Sequence, residues 1–239
     1  MSWNWQAIIT YFPELLKSSV TTIELVFLSC VFGLIFGVIL GLLRLAKNPL
    51  IKALPFAYIF FFRGTPLLVQ IFLIYYGLGQ FDFMQNSALW DPVFSQPYWC
   101  AIIAFTLNTS AYIAEIVRGA IGSIPKGELE AADTIGMSHR QKLRRIVLPR
   151  AFGIMLPAYS NEVIFMLKGS ALAATITVVD LTYTAKGIMA KTYLPLEIYF
   201  AAGVIYLIIS WVILFGFRLF ERSINKHKRY TPPTLVIPK

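Results

Sequence analysis

Long apolar runs separated by short polar segments dominate this chain. A helix crosses the ~30 Å hydrocarbon core of a bilayer with about 20 apolar residues, because each residue adds ~1.5 Å. Runs of this length cover residues 20–43, 54–78, 98–117, 154–177 and 198–217. The pattern predicts an all-α integral membrane protein with about five transmembrane helices. The fourth run is the most interrupted, by Pro157, Glu162 and Lys168.

The amino-acid composition supports lipid as the main solvent. Of the 239 residues, 57% are hydrophobic and only 14% are charged, whereas soluble domains carry about 25% charged residues. Residues 1–19 lack the basic start, short apolar core and cleavage site of a signal peptide, so we expect the first long apolar run to remain as a helix. Cys30 and Cys100 lie in apolar runs, and the two histidines lack metal-ligand spacing. We therefore expect neither a disulfide framework nor a metal site.

Lysine and arginine are distributed unevenly among the connecting segments. Of 21 such residues, 16 follow spans one, three and five, and three fall on the other face. Basic residues accumulate on the cytoplasmic side of a membrane. This predicts a periplasmic segment at 1–19, a transmembrane domain at 20–217 and a basic cytoplasmic tail at 218–239. Anionic headgroups of membrane lipid explain the net charge of +9 without a nucleic-acid partner.

The polar segment at 118–152, between spans three and four, carries the most specific signals. Acidic residues from Glu128 onward open a short predicted helix, where they interact favourably with the helix dipole. Gly136 is predicted to end this helix, Ser138 to cap a second one and Pro149 to stop the second. A helix held between two spans could transmit a movement of a soluble partner to the membrane domain. The alternative is a helix that only lies on the protein surface.

The same segment resembles the EAA loop of binding-protein-dependent ABC importer permeases. Glu130-Ala131-Ala132 is followed after three residues by Gly136, and after nine more by Ile146-Val147-Leu148-Pro149. The resemblance implies a type I ABC importer permease fold and a cytoplasmic loop that docks on an ATPase. It assigns ATPase coupling to Glu130, Ala131, Ala132 and Gly136.

Two further motifs resemble polar amino-acid permeases, in particular those for histidine, lysine, arginine, ornithine or opines. They are Arg63-Gly64-Thr65-Pro66-Leu67 and the stretch from Leu107-Asn108-Thr109 to Arg118-Gly119. The resemblance implies a multi-pass protein of the bacterial inner membrane. Its implied partners are an identical or homologous second permease subunit, two ATP-binding-cassette ATPase subunits and a periplasmic amino-acid-binding protein.

The chain itself carries no ATP-binding motif. A phosphate-binding loop requires G-x-x-x-x-G-K-[ST], and the nearest stretch, from Gly122 to Gly127, is followed by Glu128. A carboxylate at that position repels phosphate. We therefore expect no cofactor on this chain, with ATP and Mg on the partner ATPase, and a transport subunit that is not itself an enzyme.

Ionisable residues within spans cost about 2.5–3.5 kcal/mol each on insertion scales, so each requires an explanation. Glu24 lies near the outer end of span one, within reach of headgroups. Arg63 precedes a predicted kink and is expected to bind freed backbone carbonyls or a carboxylate. Glu115 and Arg118 are spaced for an i,i+3 ion pair.

Glu162, near the middle of span four, is the leading candidate for solute binding. A helix break is predicted beside Gly169, where carbonyls and dipole ends become available to a polar solute. By resemblance, the carboxylate favours a cationic substrate, and a buried Glu162–Lys168 pair is the alternative. The candidate substrate-path residues are Glu162, Asn161, Ser160, Thr109, Lys168 and Arg63.

The function predicted is therefore translocation of a polar, basic amino acid, driven by a separate ATPase and supplied by a periplasmic binding protein. The alternative is an ion-coupled secondary amino-acid carrier that uses Glu162 or Glu115 as a proton site.

Overall fold

The computed structural model describes residues 3–224, and every regular element in that range is helical. The longest helices are α1 (Trp5–Leu43), α2 (Pro49–Gly64), α5 (Pro97–Gly122), α8 (Leu148–Gly169) and α10 (Pro195–Ile224). The shorter ones are α3 (Leu67–Phe72), α4 (Asp82–Gln85), α6 (Lys126–Thr134), α7 (His139–Lys142) and α9 (Leu181–Thr192). Short 3₁₀ or π segments cover Leu73–Gly77, Leu78–Gln80, Trp90–Phe94, Leu143–Val147 and Ser170–Ile176.

Three helices, α1, α5 and α10, are each long and apolar enough to cross a membrane. Two further segments qualify only as bent pairs: Pro49–Gly64 with Leu67–Gln80, bent by 109°, and His139–Ile176 with Leu181–Thr192, bent by 53°. Counting each bent pair as one span gives five. The described residues thus hold three to five spans, in line with the predicted number.

Helix α1 begins fifteen residues before the predicted start of span one. Asn4 caps it, because its Oδ1 accepts a hydrogen bond of 3.0 Å from the Ala7 backbone N–H. Leu15 is fully buried against α9 and α10, which explains why the helix includes residues 5–19 of the expected N-terminal segment. At the other end α10 continues to Ile224, and residues 225–239 of the predicted tail lie outside the described residues.

Helices α1 and α5 pack in very close contact along three glycines of α1. A Cβ atom built on Gly33 would lie 2.2 Å from Thr109 Cγ2, and one on Gly37 would lie 2.9 Å from the Ser110 carbonyl oxygen. Only glycine permits this approach. The spacing of Gly33, Gly37 and Gly41 therefore serves helix packing, as the small-xxx-small pattern predicted.

The predicted break in the fourth span is present. Helix α8 ends at Gly169, and the chain continues as a 3₁₀ turn to a left-handed residue, Thr177 (φ +67°). Asp180 then caps α9, with its Oδ1 accepting a hydrogen bond of 2.8 Å from the Tyr183 N–H. The corner between Thr177 and Asp180 turns the chain back onto α1 and α10.

Pro149 does not stop the helix that begins at His139, so this expectation was wrong. The helical path runs through a π segment, Leu143–Val147, directly into α8. Proline is tolerated in the first turn of a helix, because the N–H it lacks needs no partner there. Pro149 therefore lies just inside the start of α8.

Candidate substrate and coupling sites

The predicted coupling residues lie on α6, which starts after Pro125. Glu130 and Ala131 are exposed, whereas Ala132 is only 2% exposed and faces the rest of the chain. Ile135, one turn after Ala131, is 73% exposed. Ile135 directly follows α6, and its N–H donates to the Ala131 carbonyl at 3.3 Å. Ala131 and Ile135 therefore lie one turn apart as exposed apolar residues beside the acidic Glu130.

Gly136 ends α6 in the way the sequence predicted. Its φ of +73° is the left-handed conformation that favours glycine. The Met137 N–H donates to the Ala132 carbonyl at 3.0 Å, and the Gly136 N–H donates to the Asp133 carbonyl at 3.0 Å. These two bonds form a Schellman motif. Ser138 then starts the next helix with a capping box completed by Gln141.

Two ion pairs hold α6 against α7 and α8. Arg150 donates two hydrogen bonds to the Glu128 carboxylate, and Lys142 Nζ lies 2.5 Å from Asp133 Oδ1. Beneath them, an apolar cluster is formed by Ala120, Ile124, Ile121, Leu129, Val147, Ala151 and Met155. The loop helix is thus fixed to the start of α8 and to the end of α5.

Glu162 lies at the interface of α8 with α5, and only 7% of it is exposed. Its Oε1 accepts a hydrogen bond of 2.8 Å from the Thr109 hydroxyl, which is itself fully buried. Thr109 also contacts the Gly33 position of α1. The glycine of α1 therefore determines where the partner of this carboxylate lies.

The other predicted path residues of α8 do not all reach Glu162. Ser160 is buried, but its hydroxyl donates to the Pro157 carbonyl at 2.7 Å. Asn161 and Lys168 are exposed. Within residues 3–224 no ion pair joins Glu162 to Lys168, because residues six apart lie on different sides of a helix.

The predicted kink at Gly64-Thr65-Pro66 is a sharp break between α2 and α3, and an amide rather than Arg63 fills it. Gln70 Nε2 donates to the Phe62 carbonyl at 2.8 Å, to the Thr65 carbonyl at 3.0 Å and to the Thr65 hydroxyl at 2.8 Å. Arg63 is exposed, and its guanidinium stacks over Tyr112 at 5.2 Å from the ring centroid. In the described range no hydrogen bond joins Arg63 to a freed carbonyl.

Asn108 connects this break to α5. Its Nδ2 donates to Gln70 Oε1 at 2.9 Å and to the Phe62 carbonyl at 3.3 Å. Both Gln70 and Asn108 are buried. The buried polar network therefore places the α2–α3 break beside the residue that precedes Thr109, one side chain away from the Glu162 contact.

The expected Glu115–Arg118 pair is present near the end of α5. Arg118 donates to Glu115 Oε2 from Nε at 2.9 Å and from Nη2 at 2.7 Å. Arg44, at the end of α1, adds a second cation with Nε 3.7 Å from Glu115 Oε1. Arg44 was not predicted as a partner, because its position beside Glu115 depends on how α1 packs against α5.

Comparison with known proteins identifies the family of this chain. Residues 33–226 match the family described as "Binding-protein-dependent transport system inner membrane component". The chain belongs to this family. It is therefore a transport component of the inner membrane, and its apolar helices supply the membrane-spanning part.

Characterised relatives of this permease are similar over most of its length. It is 45% identical over 225 residues to the nopaline transport system permease protein NocM of Agrobacterium fabrum, covering 94% of this chain and 93% of the relative. It is 42% identical over 206 residues to the histidine/lysine/arginine/ornithine transport system permease protein HisM of Salmonella typhimurium, covering 86% and 88%.

Solved structures support the permease fold. A crystal structure of an amino acid ABC transporter with histidines contains a chain that is 34% identical, with a TM-score of 0.83, covering 93% of this permease and 100% of that chain. The MetNI methionine ABC transporter in an inward-facing conformation contains one that is 20% identical, with a TM-score of 0.72, covering 88% and 95%. The latter likeness concerns the fold alone.

Proposed function

We propose that this permease imports a cationic amino acid or an opine, with Glu162 as the binding group for the positive charge. The most direct support is the environment of the Glu162 carboxylate, which lies at an interface between spanning helices. Its hydrogen-bond partner is the Thr109 hydroxyl, and no basic side chain among residues 3–224 lies within 4.0 Å of it. The relatives named for nopaline and for histidine, lysine, arginine and ornithine support the same class of solute.

The energetics favour a cationic solute over a neutral one at this position. A carboxylate offers about four lone-pair sites, and the Thr109 hydrogen bond occupies one on Oε1. A buried ion is strongly destabilised unless it is paired and hydrogen-bonded. A guanidinium or ammonium group of the solute would supply both a cation in direct contact with the carboxylate and the hydrogen-bond donors.

The remaining path candidates suit other parts of an amino acid. Lys168 and Arg63 are exposed cations, and we assign them to attraction of the solute α-carboxylate. Asn161, also exposed, can offer its amide to the solute, while Ser160 is limited by its bond to Pro157. In this proposal Thr109 orients the Glu162 carboxylate.

The coupling part of the proposal concerns α6. Its exposed face, with Glu130, Ala131 and Ile135, docks on an ATP-binding-cassette subunit, while the buried Ala132 and the Gly136 turn fix the helix to this chain. Two such ATPase subunits, carrying ATP and Mg, a second permease subunit and a periplasmic binding protein complete the importer. This assembly requires a cytoplasmic loop at 118–152 and a cytoplasmic C-terminus, as the basic residues predict.

The test is uptake by the complete importer in proteoliposomes, with its ATPase and binding protein. We expect Glu162→Gln to lower arginine or lysine uptake about tenfold, because a charge-assisted hydrogen bond contributes about 1.5–3 kcal/mol, and to affect glutamine uptake much less. The matched control is Glu14→Gln, which removes an exposed carboxylate on a different helix, α1. Equal loss for both solutes would contradict the role of Glu162, and uptake under a proton gradient without ATP would support an ion-coupled carrier instead.

A further inference from the structure

A second carboxylate lines a cavity that the proposed site does not include. The cavity has a volume of about 310 Å³ and lies between the first half of α1, the start of α5 and the corner after α8. Its lining includes Thr21, Glu24, Gln96, Tyr98, Thr177 and Val179. By the distribution of basic residues, this end of α1 is the outward end.

The chemistry of the cavity suits a small cationic solute. Glu24 is exposed to it, and among the described residues no basic side chain lies within 4.0 Å of its carboxylate. Tyr98, at the start of α5, lines the same cavity as Glu24. Small-molecule sites span roughly 300–1,000 Å³, so the volume admits one small ligand such as an amino acid.

The wall formed by the corner after α8 is conformationally strained. Thr177 has a φ of +67°, the left-handed region that a β-branched residue rarely adopts. Backbone bonds hold it there: the Thr177 N–H donates to the Ala174 carbonyl at 3.4 Å and the Val178 N–H to the Ala173 carbonyl at 3.3 Å. These two bonds form a Schellman motif that ends the 3₁₀ segment and fixes the shape of this cavity wall.

The cavity and the Glu162 site lie along the same pair of helices at different depths. Gly33 of α1 meets Thr109, the partner of Glu162. Glu24 precedes Gly33 by nine residues, which corresponds to ~13–14 Å along the helix. Between these levels, the buried hydroxyls of Ser29 and Thr106 have no hydrogen-bond partner in the described part of the chain. Polar groups thus continue along α1 and α5 from one carboxylate towards the other.

We propose that the Glu24 cavity is an outer binding site for the cationic group of the transported solute, occupied before the solute reaches Glu162. This inference rests on the proposed function, since it takes the same class of solute. An ammonium or guanidinium group would pair with Glu24, and the Tyr98 and Thr21 hydroxyls supply neutral hydrogen-bonding partners beside it.

The experiment uses the complete importer in proteoliposomes, with radiolabelled L-arginine and L-glutamine offered on the binding protein below saturation. We expect Glu24→Gln to lower arginine uptake about tenfold, as loss of one charged hydrogen-bonding partner predicts, with little change in glutamine uptake. Glu24→Asp, which keeps the charge, restores most of the arginine uptake. Glu14→Gln on the same helix serves as the control outside the cavity and matches the wild type.

Direct binding of L-arginine to the purified importer without ATP or binding protein provides a second readout. Glu24→Gln and Glu162→Gln each weaken arginine binding, and the double variant weakens it further. If Glu24→Gln assembles normally and matches Glu14→Gln in both assays, the outer site is refuted. The Glu24 carboxylate then only contacts lipid headgroups. A wild-type importer that takes up no cationic amino acid would instead refute the proposed function, and the outer site with it.

Discussion

Thr109 on α5 donates a 2.8 Å hydrogen bond to Glu162 on α8, and both residues are buried. The two are 53 positions apart in the chain, so this contact is a product of helix packing. It joins the helix that carries the EAA-type loop at its end to the helix that begins after that loop. A change at either residue therefore acts on the packing of the two helices and, under the proposed function, on solute binding as well.

Replacement of Thr109 by valine removes the hydroxyl while keeping the branched shape. We expect Thr109→Val to destabilise the permease by about 1.5–3 kcal/mol, because the buried Glu162 carboxylate loses its neutral donor. Thermal unfolding of the purified importer, followed by size-exclusion chromatography after heating, measures the change. Thr109→Ser keeps the donor and should fall clearly between valine and the wild type; equal melting of all three proteins would contradict the role of this bond.

The α1–α5 contact makes a second prediction. In Gly37→Ala the new Cβ would lie 2.9 Å from the Ser110 carbonyl oxygen and 2.6 Å from Ile113 Cβ, so the helices must separate. We expect a loss of about 1–3 kcal/mol, the usual effect of overpacking. Gly119→Ala on α5 is the matched control, because nothing lies within 4 Å of its added methyl group; it should stabilise by up to about 1 kcal/mol. Indistinguishable melting temperatures would show that α1 and α5 tolerate separation.

The two alanines of the coupling loop have different predicted effects. Ala132 is buried within this chain, so Ala132→Leu should destabilise the permease by about 1–3 kcal/mol through overpacking. Ala131 is exposed, so Ala131→Leu should change stability by no more than about 0.5 kcal/mol. If α6 docks on the ATPase, Ala131→Leu nevertheless reduces co-purification of the ATPase and uptake. Full recruitment of the ATPase by this variant would argue against docking through that face.

Local signals in the sequence predicted most of the coupling loop. Gly136 and Ser138 act through their own backbone and side chain within a few residues, and both form the turn and cap that were predicted. Pro149 was misjudged because the same residue that stops a helix in its interior is accepted in its first turn. The deciding feature, a π segment immediately before α8, has no clear signature in composition.

The site between the helices was only partly predictable. Glu162 and Thr109 were predicted as site residues because they are polar residues in apolar runs. Their contact, however, depends on how α1 and α5 pack at Gly33. Gln70 was not predicted, because a single uncharged glutamine within span two belongs to no recognised motif. Its importance arises only after the break between α2 and α3 leaves carbonyl groups without partners.

Gln70 provides the last prediction. Its amide binds the Phe62 and Thr65 carbonyls across the 109° bend, and it accepts a hydrogen bond from Asn108. In Gln70→Leu these buried polar groups lose their partner, and each unsatisfied group costs about 1–3 kcal/mol. Asn108 also donates to the Phe62 carbonyl, so we expect a loss of about 2–4 kcal/mol rather than the full sum.

Exposed Gln80→Leu, which removes only a 3.5 Å contact to the Tyr76 carbonyl, is the matched control for that measurement and should melt with the wild type. The double variant Gln70→Leu/Asn108→Leu separates two accounts of the bend. If the amides act as one network, the second substitution adds much less than its effect alone, because its principal partner is already lost. If the two effects simply add, Gln70 and Asn108 stabilise the break independently. The α2–α3 break is then linked to the Thr109–Glu162 contact only by helix packing and not by a hydrogen-bond network.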